Sequence, residues 1–574
     1  MSFRRALLLT FSCLFFFAVL GGCSRGEANR SERLALLPFE NLTPDPQLDW
    51  MTHAVPGTLA VQLASAAGLT ATAVGAPRDV QATRATRALF GYFTLTGTRL
   101  RVAAQLRDVT RQNTIRTIAV EGDLSAGILP LIDRIARELD ANVEPAAHRN
   151  QTATRDYWLA VTNDDPAQRR ELLRRALTAD PAFAPAHFAL VQSAVAAGDQ
   201  QAASAALVEA RRASPGFTAF ERARLDLLDA RARQDTGATL RALNALTRLT
   251  PANDDVWRSL GELEMSRRNF GPAAAALERS LASDPGNISA LNSLVYTRTW
   301  MGDLDGARHA LARYGESAPG DANVQDTHGD VHFYFGRFAE AEKYYLEAHR
   351  INPGLLAGGD LYRAALSARF AGDLRRADGH FANWLAFRKA GGDPLLAVRE
   401  AVWEASTGRL NQARTRLRQF VRMPPSSVEV GAAAASQLAL FDKAAGERAL
   451  APAAPVSASA AVASFLCQAD AGAAEWAQRA RALPAAVRDA LLGYALLLNG
   501  HFGEAVPVWR SVYQATQPAA ESDARVMFAW ALSASGRRGE AAALLVRAPI
   551  SGRAAEPGLT FLTWSKYAEL ARRQ

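Results

Sequence analysis

Few residues of this 574-residue chain could do chemistry, and the best set is His328-Gly329-Asp330-Val331-His332 with His349 beyond it. Two imidazoles four residues apart share one face of a helix and can bind one zinc ion. The zinc-protease pattern H-E-x-x-H needs a glutamate directly after the first histidine to act as base. Gly329 stands there instead. These histidines read as polar packing, and no metal is assigned. Of the three cysteines, Cys13 lies inside an apolar run, Cys23 follows Leu20-Gly21-Gly22, and Cys467 stands alone in a helical region. A lone helical cysteine is a small buried residue before it is a nucleophile. No G-x-x-x-x-G-K-[ST] phosphate loop, G-x-S-x-G turn or Cys-x-x-Cys pair occurs. The acid pairs fall on expected solvent faces, so neither a catalytic set nor a cofactor is expected.

A larger pattern must position these residues. The stretch 334–353, YFGRFAEAEKYYLEAHRINP, carries Gly336, Ala341, Tyr345, Ala348 and Pro353 at spacings that recur along the chain. Counted from an anchoring alanine, a glycine stands five residues before, a large apolar residue four after, a small or apolar residue seven after, and a proline twelve after. Ala203, Ala307 and Ala413 keep every slot; Ala273 lacks only the glycine; Ala377, Ala505 and Ala541 keep the glycine and the large apolar residue. Pro251, Pro285, Pro319 and Pro353 follow one another every 34 residues. A fixed period of this length marks a repeated supersecondary unit. The glycine takes the left-handed backbone that ends one helix. The alanine lets a second helix lie close to the first, and residues four and seven later stay on that face. The proline closes the unit.

In the clearest unit, Trp257, Leu260, Gly261, Ala273, Leu277 and Pro285 form a W-x-x-L-G…A-x-x-x-L…P arrangement that resembles the tetratricopeptide repeat (TPR). The resemblance covers 150–425 and 484–548 and thins between them. It implies an all-α right-handed superhelix of stacked helix pairs, whose first helices line a concave wall that binds peptides or protein surfaces. On this chain the wall is expected to carry Arg258, Glu262 and Met265, then Asn292, Tyr296 and Trp300. It continues with Asp326, Asp330, Phe333 and Tyr334, then Tyr362 and Phe370. Aromatic rings among hydrogen-bonding groups suit an extended peptide or a partner helix. Packing of Tyr296, Trp300 and Tyr334 between repeats is the alternative. His328 takes the slot of Leu260, so it should face the core of its helix pair.

The first 22 residues have a basic start, an apolar run over 6–20 and small residues, the form of a secretory signal. Fifteen apolar residues are short for a permanent span, which needs about 20. The ending Leu20-Gly21-Gly22-Cys23 resembles the bacterial lipobox, which implies diacylglycerol on Cys23 and cleavage before it. Ser24 instead of Asp implies the outer membrane within that family. A tether over 23–33 follows, then a domain over 34–148. Strands are expected at 34–39, 69–74, 89–96, 100–109 and 114–121, and helices at 50–66, 79–88 and 125–140. Leu36, Pro38, Phe39, Asn41 and Leu42, with Gly91, Gly97, Arg101, Val102, Gln105, Leu106 and Asp108, resemble the amino-terminal domain of TolB, although the first hairpin turn is shorter here. That resemblance implies an interaction domain without catalysis.

The fold class expected is therefore multi-domain: a small α/β domain, a TPR array over 150–427, a degenerate helical region over 428–483 with an Ala/Pro loop at 449–464, and further TPR units over 484–574. The net charge of +8 falls to +6 when Arg4 and Arg5 leave with the signal, and the basic residues are dispersed. A nucleic-acid surface concentrates them, so no nucleic acid is expected as partner. The expected function is a non-enzymatic scaffold, lipid-anchored and facing the periplasm, that holds envelope proteins or peptides. The alternative is an envelope ligand or metal sensor, or an undetected hydrolase.

Overall fold

A computed structural model describes residues 32–64, 69–423, 427–449, 458–516, 518, 521–549 and 558–572. The expected signal, Cys23 and most of the tether lie outside them. The chain divides into two compact units, one formed by residues up to Glu264 with Gly271–Ala290, the other by Met265–Phe270 with the chain from Leu291 onward.

The first unit opens with five strands, β1 (Glu32–Asn41), β2 (Leu69–Ala73), β3 (Arg87–Thr96), β4 (Arg99–Asp108) and β5 (Thr114–Asp123). They form one sheet in the order β2-β1-β3-β4-β5, with β1 parallel to both neighbours and the rest antiparallel. Strand β1 is a continuous apolar run because both its faces are covered. Leu34, Leu36 and Phe39 pack under α1 (Met51–Leu63) and α2 (Leu129–Leu139), while Ala35 and Leu37 meet Val74 and Ala88 on the other face. Pro38 has no N–H to donate and sits where the register of β1 shifts between Leu36 and Phe39. The expected helix over 79–88 is absent. A short 3-10 turn at Pro77–Val80 replaces it, and Thr86 already joins the sheet through Arg33. Two β-branched residues, Thr83 and Thr86, favour that outcome.

Helix pairs follow: α3 (Gln151–Val161) with α4 (Pro166–Ala179), α5 (Ala184–Ala196) with α6 (Gln200–Ala213), α7 (Ala219–Ala232) with α8 (Thr236–Leu249), and α9 (Asp254–Ser266) with α10 (Phe270–Ser283). The α/β module is pinned to these repeats. Asp284, with 2% of its side chain exposed, takes Arg33 at 3.0 Å and the fork of Arg84, and Thr70 Oγ1 donates to Ala252 O at 2.8 Å.

The second unit continues with α11 (Ile288–Trp300) and α12 (Leu304–Ser317), α13 (Ala322–Tyr334) and α14 (Phe338–Ile351), α15 (Gly359–Phe370) and α16 (Leu374–Ala390), and α17 (Leu396–Ser406) and α18 (Leu410–Phe420). Then come α19 (Val428–Ala444) and α20 (Ala458–Leu466), α21 (Ala473–Ala480), α22 (Ala485–Leu498) and α23 (Phe502–Ala515), α24 (Glu521–Ala534) and α25 (Arg538–Leu545), and last α26 (Thr560–Ala571). Part of the expected loop at 449–464 is helical. Residues 450–457, with Pro452 and Pro455, lie outside the described residues, and the alanine-rich stretch from Ala458 is helical.

The repeat slots do what their chemistry demands. The glycines at 198, 302, 336, 372, 408, 500 and 536 have φ between +70° and +93°, and where the slot lacks glycine Arg268 takes φ +61°. Asp199, Asp235, Asp303 and Asp373 cap second helices by accepting a first-turn N–H. The anchoring alanines Ala273, Ala307, Ala341, Ala377, Ala413 and Ala505 are fully buried. The close approach shows at a glycine of the first helix. A Cβ on Gly261 would lie 2.6 Å from Leu277, one on Gly329 2.5 Å from the Tyr345 ring, and one on Gly493 2.7 Å from Trp509. Gly329→Ala is expected to cost about 1–3 kcal/mol, because Tyr345 must shift in a packed core. Gly379→Ala, where nothing lies within 4 Å, is expected to be neutral or to stabilise by up to about 1 kcal/mol. Scanning calorimetry of the two variants checks the contrast.

Candidate functional site

In the second unit, the expected wall residues Phe333 and Phe370 lie against a helix of the chain itself. Helix α26 packs along α17 and α24. Trp564 meets Phe333 edge-on at 6.2 Å and Phe370 at 5.9 Å, Tyr567 meets Phe370 at 5.3 Å, and Phe561 meets Phe441 at 4.9 Å. Thr563 Oγ1 donates to Asp523 Oδ1 at 2.6 Å, and Lys566 Nζ lies 4.4 Å over the Trp530 ring. Just ahead of the helix, Gly558 exchanges two hydrogen bonds with the Gln437 amide, at 2.5 and 3.0 Å. Phe561, Leu562, Thr563, Trp564, Tyr567 and Leu570 are all buried. Phe561, Trp564, Tyr567 and Ala568 form a broad apolar face that must be covered, while Ser565, Lys566 and Glu569 share the other side. That pattern, in a segment without repeat slots, is the sequence signal that could have located α26.

Phe333 and Tyr334 are therefore buried, 4% and 7% exposed, and do not face an open groove. Phe370 is half-buried against α26. Tyr362 packs between repeats, with Trp384 at 5.5 Å and Trp403 at 5.9 Å. The last repeats also reach the start of this unit. Ala548 N donates to Tyr334 O at 3.0 Å, the Arg525 guanidinium sits 5.8 Å over the Tyr334 ring, and Arg268 donates to Tyr513 O and Thr516 O at 3.0 and 2.9 Å. Trp300 stacks on Tyr296 at 5.6 Å and tilts against Phe270 at 6.0 Å, beside a cleft of about 170 Å³.

Asp326 and Asp330 belong to a buried ionic cluster. Arg363 pairs with Asp326 and lies 3.8 Å from both Asp330 and Asp360. Tyr296 and Tyr345 donate their hydroxyls to Asp330 at 2.8 and 2.7 Å. Asp360 is wholly buried, and neither carboxyl oxygen meets a donor. Burial first, then the neighbouring Asp326 carboxyl, pushes it up to about 8. Three carboxyls thus face one guanidinium, and a proton held on Asp360 lowers the charge excess. The remaining expected residues are more open. Arg258 pairs with Glu262 at 2.8 Å, both within the first unit, Met265 is half-buried, and Asn292 Oδ1 accepts from Thr327 Oγ1 at 3.4 Å.

The histidines pack as rings. His328 and His332 both stack on Tyr344, at 4.7 and 5.1 Å, and His349 meets Phe387 edge-on at 6.0 Å. Burial, with His332 alongside, pulls His328 down to about 4, so it is neutral at ordinary pH. Among the described residues no group of three His, Cys, Asp or Glu is arranged to hold a metal ion. Burial pushes the Cys467 thiol up to about 11, which leaves it without nucleophilic character near neutrality.

The tetratricopeptide repeat model matches residues 264–330. Among solved structures the chain is similar to MamA, at 19% identity over 30% of this chain and 92% of that one, with a TM-score of 0.28. It is similar to PilW, described as a widely conserved type IV pilus biogenesis factor, at 18% identity over 36% of this chain and 96% of that one, TM-score 0.32. PilF of Pseudomonas aeruginosa matches at 18% identity over 35% and 93%, TM-score 0.30. A search of curated proteins finds no match.

The cluster makes stability depend on pH. A folded value near 8 against an ordinary 3.8 means that the Asp360 contribution is complete below about pH 4 and is lost as pH rises through 8. The thermal midpoint is expected to fall between pH 6 and 9, and Asp360→Asn, which keeps the shape of the protonated acid, is expected to flatten that fall.

Proposed function

We propose that this protein is a non-enzymatic scaffold, tethered by lipid on Cys23 to the membrane on the periplasmic side, outer rather than inner, where its repeats hold segments of other envelope proteins. The observation that carries this reading is the grip on α26: a wall of first helices covers the apolar face of a helix through aromatic rings and a few hydrogen bonds, the chemistry of helix-in-groove recognition. The TPR match over 264–330 supports the same class of function. The α/β module, with its TolB-like sequence motifs, adds a second interaction surface. Asn292, with half-buried Tyr296 and Trp300, is where a partner segment is met in the second unit, and Arg258 and Glu262 offer such positions in the first, while α26 occupies Phe333 and Phe370.

A photo-crosslinking amino acid at Glu262 or Asn292 of the full chain, in cells, tests this directly. Protein adducts are expected at both positions and not at Val208, exposed on the second helix α6. Adducts confined to Val208, or none at any position, overturn the reading. In the same cells Cys23→Ser is expected to move the protein from the membrane to the soluble fraction; unchanged fractionation overturns the lipid anchor.

A further inference from the structure

Inside the first unit, a cavity of about 320 Å³ opens where the α/β module meets the first repeats. That volume is at the lower end of small-molecule sites, roughly 300–1,000 Å³. Its walls come from distant stretches of chain: the end of α1, the segment 144–148, α3, and the starts of α5 and α7. Four aromatic side chains, Tyr157, Trp158, Phe183 and Phe220, stand among its lining residues. Tyr157 meets Trp158 at 5.1 Å and Phe183 at 5.6 Å, and His148 meets Phe183 at 5.1 Å.

The cavity is braced. A Cβ on Gly57 of α1 would fall 1.8 Å from the Trp158 indole, so the glycine is what allows that ring to lie across α1. Buried Asp133 of α2 accepts from Gln62 Nε2 at 2.6 Å and from Ala146 N at 2.9 Å, and pairs with Arg149, which fixes the connecting segment. On the far side, Glu221 is 5% exposed. Its carboxylate lies 2.9 Å from His148 Nε2 and accepts from Thr218 N at 2.8 Å and Thr218 Oγ1 at 3.0 Å. The double arginine grip on Asp284 holds module and repeats together. Walls fixed this way do not collapse to fill the space, and an open apolar cavity loses the contacts that a ligand would restore.

The charge of the lining selects the ligand. Glu144 at the exposed rim and Glu221, paired with His148 at 2.9 Å, are its acidic groups; no lysine or arginine lines it, and the Arg224 guanidinium lies 5.6 Å over the Phe220 ring. A carboxylate-bearing molecule would meet the Glu144 carboxylate and find no lysine or arginine in the lining. A cation would find the Glu144 carboxylate together with the Tyr157, Trp158 and Phe183 rings in the lining, and aromatic rings attract cations through their quadrupoles. We infer that this cavity binds a small cationic amphiphile, an amine carried on a body the size of one or two rings.

The probes are tryptamine and indole-3-propionate, which share a ring and a spacer and differ in the sign of the terminal charge. With the intact chain, calorimetry is expected to show saturable one-site binding of tryptamine at least about tenfold tighter than of indole-3-propionate. Ala219→Trp, placing bulk in the mouth, is expected to abolish tryptamine binding without moving the thermal midpoint. Val61→Trp fills the opposite wall and serves if the first variant misfolds. Glu144→Gln is expected to weaken tryptamine several-fold and leave indole-3-propionate no weaker. Equal affinity for both probes, no saturable binding of tryptamine, or full binding by a folded Ala219→Trp or Val61→Trp variant would overturn the inference.

Discussion

Three of the helix pairs close through a contact that leaves no room for a side chain. Gly261, Gly329 and Gly493 lie against Leu277, Tyr345 and Trp509 at distances that even a methyl group would violate. Each of these large residues stands four places after a fully buried anchoring alanine, Ala273, Ala341 or Ala505. Because the second helix comes this close, its large side chain is seated under the first helix, and the opposite side of the first helix is left to face the wall. Most of the chain follows from that seating. It sets the 34-residue spacing of the prolines, the left-handed glycines between helices, and the aspartate caps.

A wall built this way from α13, α15, α17, α19 and α24 presents more apolar surface than water tolerates. The chain covers it with α26. Burying rings such as Trp564, Tyr567 and Phe561 contributes about 1.5–3 kcal/mol each, enough to order a twelve-residue helix that would be marginal alone. Asp326, Asp330 and Asp360 surround Arg363 out of reach of water, and a buried carboxyl without a partner keeps its proton.

Features with local causes were legible in the sequence. The hairpin at Gly97, the apolar run of β1 and every left-handed glycine of the repeat followed from spacing and backbone sterics. His328 in the Leu260 slot was expected to pack within its helix pair, and it stacks on Tyr344 of the paired helix. Features set by distant contacts were not legible. Phe333 and Phe370 have the spacing of wall residues, but no local pattern reveals that Trp564 and Tyr567, some two hundred residues on, lie against them. Asp326 and Asp330 looked like hydrogen-bonding groups for a partner because Arg363 and Tyr296 reach them only through the stacking of repeats. The turn at Pro77–Val80 defeated the helix expected over 79–88 because pairing of Arg33 with Thr86 outweighs local helix preference.

The central claim is that the first-helix wall is a helix-binding surface with a resident occupant. Amide hydrogen exchange across residues 560–571 of the intact chain tests it most directly. The account predicts protection over minutes to hours, comparable to α13 and α17 in the wall itself. Exchange of 560–571 at the rate of an unstructured peptide, with α13 and α17 still protected, would contradict it.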